Sequence, residues 1–335
     1  MITFWILIFV GALVLLVKSA DWLVESAEKV GLALRISPFI IGVTIVAVGT
    51  SFPELASSLA ATFKGETAIV AANAIGSNIG NILLIVGLSA VIAFRMVIKR
   101  SLIDLDAPLL AATTGLFVFI IWDRKIVFGE GILLLAAFAV YLLYTIFQRR
   151  GEEGETTEIV EVLPSRVERR HKTFTKSMKE KEIAPQKLSL KVFLFLGIGI
   201  VGLVIGANYA IESLTKISEI FKIPPSLIAI TALAVGTSLP ELVVSIKAAS
   251  KKKYEIALGN VFGSNVFNIL MVVGVPALFS TLKVDETTFT IGFPFLVLAT
   301  LLFIITGISR RIHIWEGAMY LLIYTLFVAK LIGLV

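Results

Sequence analysis

An acid and a proline sit in the middle of an apolar run that is long enough to cross a bilayer. The run extends from Ile36 to Phe63, and its centre reads Gly49-Thr50-Ser51-Phe52-Pro53-Glu54. Crossing takes about 20 residues. A carboxylate at that depth costs on the order of 3 kcal/mol by insertion scales. Proline removes one backbone donor and presses on the carbonyl four residues back, here that of Gly49. Such a segment persists only where the acid and the freed backbone face protein or water instead of lipid. The same device returns as Gly236-Thr237-Ser238-Leu239-Pro240-Glu241. Two structural kinks carrying protonated glutamates would be the bland explanation. Repetition on a second span points instead to a cation site.

The rest of the chain agrees with a membrane setting. Of 335 residues, 57% are hydrophobic and 16% charged, and the mean hydropathy is +0.96. Those values describe an integral membrane protein and exclude a soluble core. The charge gathers in short gaps and one middle segment, so the basic balance gives no reason to invoke nucleic acid. With no cysteine there is no disulfide, thiol catalysis or Cys-ligated zinc. Thr3 to Val17 is apolar but no basic stretch precedes it, so this segment is expected to remain in the mature protein.

Ten spans are predicted: 3–31, 36–63, 68–94, 104–122, 127–147, 190–219, 224–250, 255–281, 288–307 and 313–333. The runs are continuous and too long for the alternating strands of a membrane barrel, so they read as helices. An offset of 187 positions lays the second half on the first. Glu25 then falls on Glu212, Pro38 on Pro225, Thr44 on Thr231 and the whole Gly-Thr-Ser-x-Pro-Glu motif on its copy. Gly76-Ser77-Asn78 falls on Gly263-Ser264-Asn265, and Asn81 on Asn268. Each half carries five spans, and an odd number turns the second copy upside down. The expected fold is thus an all-α integral membrane protein with ten transmembrane helices in two inverted five-helix repeats, the plan of secondary transporters. The first repeat covers 1–147 with its motif region at 47–81; the second covers 189–335 with its motif region at 234–268.

The hydrophilic segment 148–188 reads as a linker. Its later half is basic, from Arg166 to Lys181, which also suits contact with lipid headgroups. Short-loop Lys and Arg set the orientation. Arg35, Arg95, Lys99, Arg100, Lys251 to Lys253, Arg310 and Arg311 gather on one side with the linker. Lys64, Arg124, Lys125, Lys222 and Lys283 lie on the other. The chain is therefore expected in the cell membrane with both termini outside and the linker cytoplasmic.

The chemistry is legible in spacing. Ala47, Thr50, Ser51 and Glu54 share one helical face, as do Asn73, Ser77 and Asn81 on the next span. The mirror sets are Ala234, Thr237, Ser238 and Glu241, with Asn260, Ser264 and Asn268. Carboxylates, hydroxyls, amide oxygens and carbonyls loosened near a proline are all hard donors. They suit Ca²⁺, Na⁺ or Mg²⁺, not copper or zinc. Two acids balance one divalent ion, and Mg²⁺ fits less well because it keeps its waters. Without a cation, desolvation and mutual repulsion disfavour two bare charges, so protons should compete there. Plainer roles stand beside these. The serines could bond back to their own helix, Asn81 and Asn268 could be interhelical glue, and Gly76 and Gly263 are read mainly as packing positions. Glu25 and Glu212 fall outside the core site. An enzyme using Ser51 or Ser238 would lack a base, because His171 and His313 fall on the cytoplasmic side by this topology.

Paired Gly-Thr-Ser-x-Pro-Glu motifs, each followed by Gly-Ser-Asn-x-x-Asn, resemble the two α-repeats of the sodium/calcium exchanger family within the calcium/cation antiporters. The resemblance covers both halves in order. It implies exchange of several Na⁺ for one Ca²⁺ as transported ions, with no cofactor, the lipid bilayer as surroundings, no nucleic acid, and a monomer as functional unit. It implies that Glu54 and Glu241 coordinate Ca²⁺. Carbonyls of Ala47, Thr50, Ala234 and Thr237 and hydroxyls of Ser51, Ser77, Ser238 and Ser264 would assist. It further implies that the first and sixth helices slide to switch access. Some features depart from the wider group. The motif of the proton/calcium branch is absent, and the potassium-dependent branch places an aspartate where Asn268 stands; both departures argue against H⁺ or K⁺ coupling, which stays as the alternative. The large regulatory domains of animal exchangers are missing. A passive channel is the remaining rival, separated by its independence of a counter-ion.

Overall fold

A computed structural model describes residues 2–34, 36–97, 107–158, 189–220, 238–309 and 311–335. The first half supplies α1 (Ile2–Leu34), α2 (Pro38–Phe63), α3 (Ala68–Ala93), α4 (Ala107–Ile120) and α5 (Phe128–Glu158). The second supplies α6 (Leu190–Ile220), α7 (Leu239–Ser250), α8 (Tyr254–Ala277), α9 (Thr288–Ile308) and α10 (Ile314–Leu331). Eight of these are long and apolar enough to cross a bilayer. α5 continues past the expected end at 147 to Glu158, so the first part of the segment assigned to the linker is helical. The remainder of that segment lies outside the described residues. So does the first part of the expected span 224–250, with Ala234 and Thr237 in it.

The repeat is visible in two small antiparallel sheets. β1 (Arg95–Val97), after α3, pairs with β4 (Arg311–His313), before α10. β2 (Lys125–Ile126), before α5, pairs with β3 (Leu282–Lys283), after α8. The offset found in the sequence turns Arg95↔His313 into Leu282↔Ile126, and Met96↔Ile312 into Lys283↔Lys125; both registers are present. Each half therefore clasps the other with the same device.

α8 is the central helix, with 94% of its apolar stretch buried against 17% for α1. Its burial depends on glycine. A Cβ at Gly263 would stand 2.2 Å from the Val43 carbonyl oxygen, and one at Gly259 would stand 2.4 Å from that of Phe39. The backbones of α2 and α8 touch there, as small residues allow in membrane helices. α1 and α6 pack on each other in the same manner: a Cβ at Gly202 would overlap Ser19 Oγ at 2.2 Å. Together they face the remaining helices through a separate cluster rich in alanine, including Ala20, Ala27, Ala207, Ala248 and Ala257.

At one end, ion pairs tie α1 to α7 and to the turn that follows it. Lys251 Nζ lies 2.7 Å from Asp21 Oδ1 and 2.8 Å from Glu25 Oε1. Lys247 reaches Asp21 Oδ2 at 3.1 Å, and Lys253 reaches Glu28 Oε2 at 2.5 Å. Burial pulls the Lys251 ammonium down, but its two carboxylate partners outweigh that and hold it above the usual lysine range.

Among the described residues, four helices contain π-helical turns: Gly42–Val46 in α2, Gly80–Val86 in α3, Asn268–Val273 in α8 and Thr288–Gly292 in α9. The sequence placed the loosened backbone at Pro53. Instead, Ala47–Phe63 stays α-helical through that proline, and the wide turn lies before it. A π turn takes one more residue per turn and is common beside functional sites. Here it spreads the deformation over several residues upstream, so no break opens at Gly49.

Candidate cation site

Glu54 on α2 and Glu241 in the first turn of α7 are each 1% exposed. They meet across the repeat boundary. Ser51 Oγ, one turn before Glu54, donates to Glu241 Oε1 at 2.8 Å. Neither carboxylate faces lipid, and both face elements of the opposite repeat.

The elements around them are braced by asparagines. Asn73 on α3 donates to Ser58 on α2 at 3.2 Å, and its repeat mate Asn260 on α8 donates to Ser245 on α7 at 2.9 Å. These matched struts hold the motif helices of each half together. Their spacing had grouped Asn73 and Asn260 with the ligand candidates, but their amide nitrogens serve this structural purpose. The single proton of the Thr50 hydroxyl is shared between the Ala47 carbonyl at 3.3 Å and Asn260 Oδ1 at 3.2 Å, and the second contact links the two repeats.

Several buried oxygens in the same region make no hydrogen bond among the described residues. They are both oxygens of Glu54, Oε2 of Glu241, the hydroxyls of Ser238 and Ser264, and the side-chain oxygens of Asn81 and Asn268. Ser77 is buried beside them on α3. A buried polar atom without a partner costs about 1–3 kcal/mol, and more if charged. So many in one region call for a ligand that every one of them can serve. All are hard oxygens, and no cluster of three or more His, Cys, Asp or Glu side chains exists among the described residues. Any cation here would take its charge balance from two carboxylates and the rest of its shell from neutral oxygens. That donor set fits Ca²⁺, which accepts six to eight oxygens in flexible geometry, and it fits Na⁺.

Of the residues expected at the site, Ala47, Thr50, Ser51, Glu54, Ser77, Asn81, Ser238, Glu241, Ser264 and Asn268 are described, and all are buried. Gly263 has the expected packing role, through its contact with Val43 and Ala47, but Gly76, read the same way, does not: nothing lies within 4 Å of a methyl placed there. Glu25, set apart from the core site, is engaged by Lys251. Two residues were missed. Asn78 Nδ2 donates to the Asn265 carbonyl at 3.1 Å, and Asn268 Nδ2 donates to Asn78 Oδ1 at 3.2 Å. The available signal was the coincidence of Gly-Ser-Asn in both halves. Spacing alone could not show which asparagine faces its counterpart.

The chain matches the family described as "Sodium/calcium exchanger protein" twice, over residues 4–147 and 191–333. It is 33% identical over 360 residues to the sodium/calcium exchanger MaX1 of Methanosarcina acetivorans, covering 99% of each chain. To the inner membrane protein YrbG of Escherichia coli it is 32% identical over 300 residues, covering 89% of this chain and 86% of that one. Among solved structures, the sodium-calcium exchanger NCX_Mj soaked with 10 mM Na⁺ and zero Ca²⁺ superposes with a TM-score of 0.78 at 29% identity. That match covers 98% of this chain and 99% of the other.

Proposed function

Because the chain belongs to the sodium/calcium exchanger family, we propose that it exchanges Na⁺ for Ca²⁺ by alternating access around the Glu54–Glu241 site. Family membership makes it a multi-pass membrane antiporter and not an enzyme. The choice of ions rests on one observation above the others. Two buried carboxylates from opposite repeats come together, and three of their four oxygens have no partner among the described residues.

Glu54 and Glu241 are the charged ligands. Ser51, Ser77, Ser238 and Ser264, the side-chain oxygens of Asn81 and Asn268, and the carbonyls of Ala47, Thr50, Ala234 and Thr237 complete the set. Na⁺ or Ca²⁺ neutralises the acids and lets the protein change its facing. Carrying two bare carboxylates past apolar walls is costly, so the unloaded protein does not cross. That penalty converts binding into coupled exchange. With several Na⁺ moving against one Ca²⁺, each net charge is worth about 2.3 kcal/mol per 100 mV.

Uptake of radioactive Ca²⁺ into proteoliposomes under an outward Na⁺ gradient tests the reading. Glu54→Gln and Glu241→Gln should each abolish uptake while leaving the protein folded. Uptake that persists without internal Na⁺, or that only protons or K⁺ can drive, overturns the assignment of ions.

A further inference from the structure

The two repeats share one sequence pattern, but their polar contacts are not shared equally. Among the described residues, four hydrogen bonds near the site cross the repeat boundary. They are Thr50 to Asn260 Oδ1, Ser51 to Glu241, Asn78 Nδ2 to the Asn265 carbonyl, and Asn268 Nδ2 to Asn78 Oδ1. The offset of 187 positions gives each a mirror bond. Those would be Thr237 to Asn73 Oδ1, Ser238 to Glu54, Asn265 Nδ2 to the Asn78 carbonyl, and Asn81 Nδ2 to Asn265 Oδ1. Every described side-chain atom of that mirror set is buried and has no partner: Asn73 Oδ1, Ser238 Oγ, both Glu54 oxygens, both polar atoms of Asn265 and Asn81 Nδ2. By contrast, the bonds inside each repeat, Asn73 to Ser58 and Asn260 to Ser245, are made in both halves. The difference is concentrated at the boundary between repeats; within them, these amides differ only by a long contact from Asn260 Nδ2 to the Glu241 carbonyl at 3.4 Å.

A molecule of two inverted copies can occupy two arrangements in which the copies exchange roles. The bonds made in one arrangement are those open in the other. We infer that Asn78 and Asn265 are positioning residues for the exchange step, each holding one of the two facings. In the arrangement described, the Asn78 side chain uses both of its ends across the boundary, and the Asn265 side chain uses neither. In the opposite arrangement Asn265 donates to the Asn78 carbonyl and accepts from Asn81, and the Asn78 side chain is released. Neither residue belongs to the proposed ligand set. Both are 1% exposed, so neither amide can exchange its partner for bulk water. A buried amide without partners penalises its own arrangement, so each asparagine acts twice: it favours one facing and disfavours the other.

The inference rests on the alternating-access reading but not on which ions are carried. Its test is a distance measured at constant ion composition. The chain contains no cysteine, so Lys29→Cys on α1 and Lys252→Cys after α7 introduce the only two thiols for spin labels. Both positions are exposed, and they flank the ion pairs of Lys251. Double electron–electron resonance then reports whether that end is closed as described or open. Asn78→Leu removes two bonds from this arrangement and should raise the open fraction relative to the closed by roughly fivefold or more, from the usual worth of a hydrogen bond. Asn265→Leu removes an unpartnered amide from it and should move the ratio the opposite way, to the point of abolishing any open population. Alanine at the same positions gives a milder pair should either leucine variant fail to fold. Shifts in the same direction, or an Asn78 variant with an unchanged distance distribution, overturn the inference. Because the readout is a distance, a wrong choice of ions would leave these shifts intact. Wrong roles for the asparagines would leave Na⁺-driven Ca²⁺ uptake by the unsubstituted chain intact.

Discussion

Glu54 and Glu241 occupy equivalent places in the two motifs, but only Glu241 receives a hydroxyl, from Ser51. Sequence can reveal that two residues are equivalent; it cannot reveal which of the two is engaged in a given arrangement. The glycines make a similar point. Gly263→Ala would force a methyl into the Val43 carbonyl at 2.2 Å, whereas nothing lies within 4 Å of a methyl at Gly11 on α1. Gly263→Ala should therefore lower the thermal unfolding midpoint in detergent, with an overpacking cost of about 1–3 kcal/mol. Gly11→Ala should leave the midpoint nearly unchanged, and equal effects would contradict the close approach of α2 and α8. Gly263 was readable as a packing position because small residues mark helix contacts in membranes. Asn78 was not readable in the same way. An asparagine in an apolar helix can be a ligand, a strut or a clasp, and only the rotation of α3 against α8 decides among them.

At the scale of helices, α1 and α6 form a pair whose buried cluster against the rest of the molecule is half alanine. The alanines interlock less than larger side chains would and so oppose displacement along the pair's length less. Opposition comes from the charges at one end, where Asp21, Glu25 and Glu28 on α1 meet Lys247, Lys251 and Lys253. Sequence reading used those lysines only as loop charges that fix orientation. Their partners are more than two hundred positions away, and only the packing of α1 against α7 brings them within reach. Lys251→Gln deletes the contacts to Asp21 and Glu25. These groups are partly exposed, so the loss of stability should stay below about 1 kcal/mol. Amide hydrogen exchange over residues 21–30 should nevertheless rise several-fold. Choline chloride near 1 M should produce the same rise in the unaltered chain by screening the pairs. Unchanged exchange in both cases would show that the charges do not restrain α1. The ten-helix order was legible from apolar runs alone. The helical extension of α5 to Glu158 was not, because its last turns are written in polar residues that read as linker.

For the molecule as a whole, the mirrored β1–β4 and β2–β3 clasps give physical form to the repeat that the sequence offset announced. Inverted copies place the two clasps on opposite faces of the membrane. The proposed orientation puts the α7–α8 turn in the cytoplasm. In right-side-out vesicles, a membrane-impermeant thiol reagent should therefore leave Lys252→Cys unlabelled until the membrane is opened, and should label Lys125→Cys at once. The reverse order would invert the topology while leaving the fold untouched. The ion pairs around Lys251 add a further asymmetry that the clasps lack. Under the same offset Lys251 falls on Lys64 and Glu25 on Glu212, but Lys247 falls on Ala60, Lys253 on Glu66, Asp21 on Asn208 and Glu28 on Thr215, so the mirror end keeps the residues of only one of the four pairs. A door with a bolt on one jamb rests shut on that side. Apparent affinity is intrinsic affinity divided by the fraction of molecules already facing the ligand. An exchanger built this way would show different half-saturating Ca²⁺ concentrations at its two mouths, though the same oxygens do the binding at both.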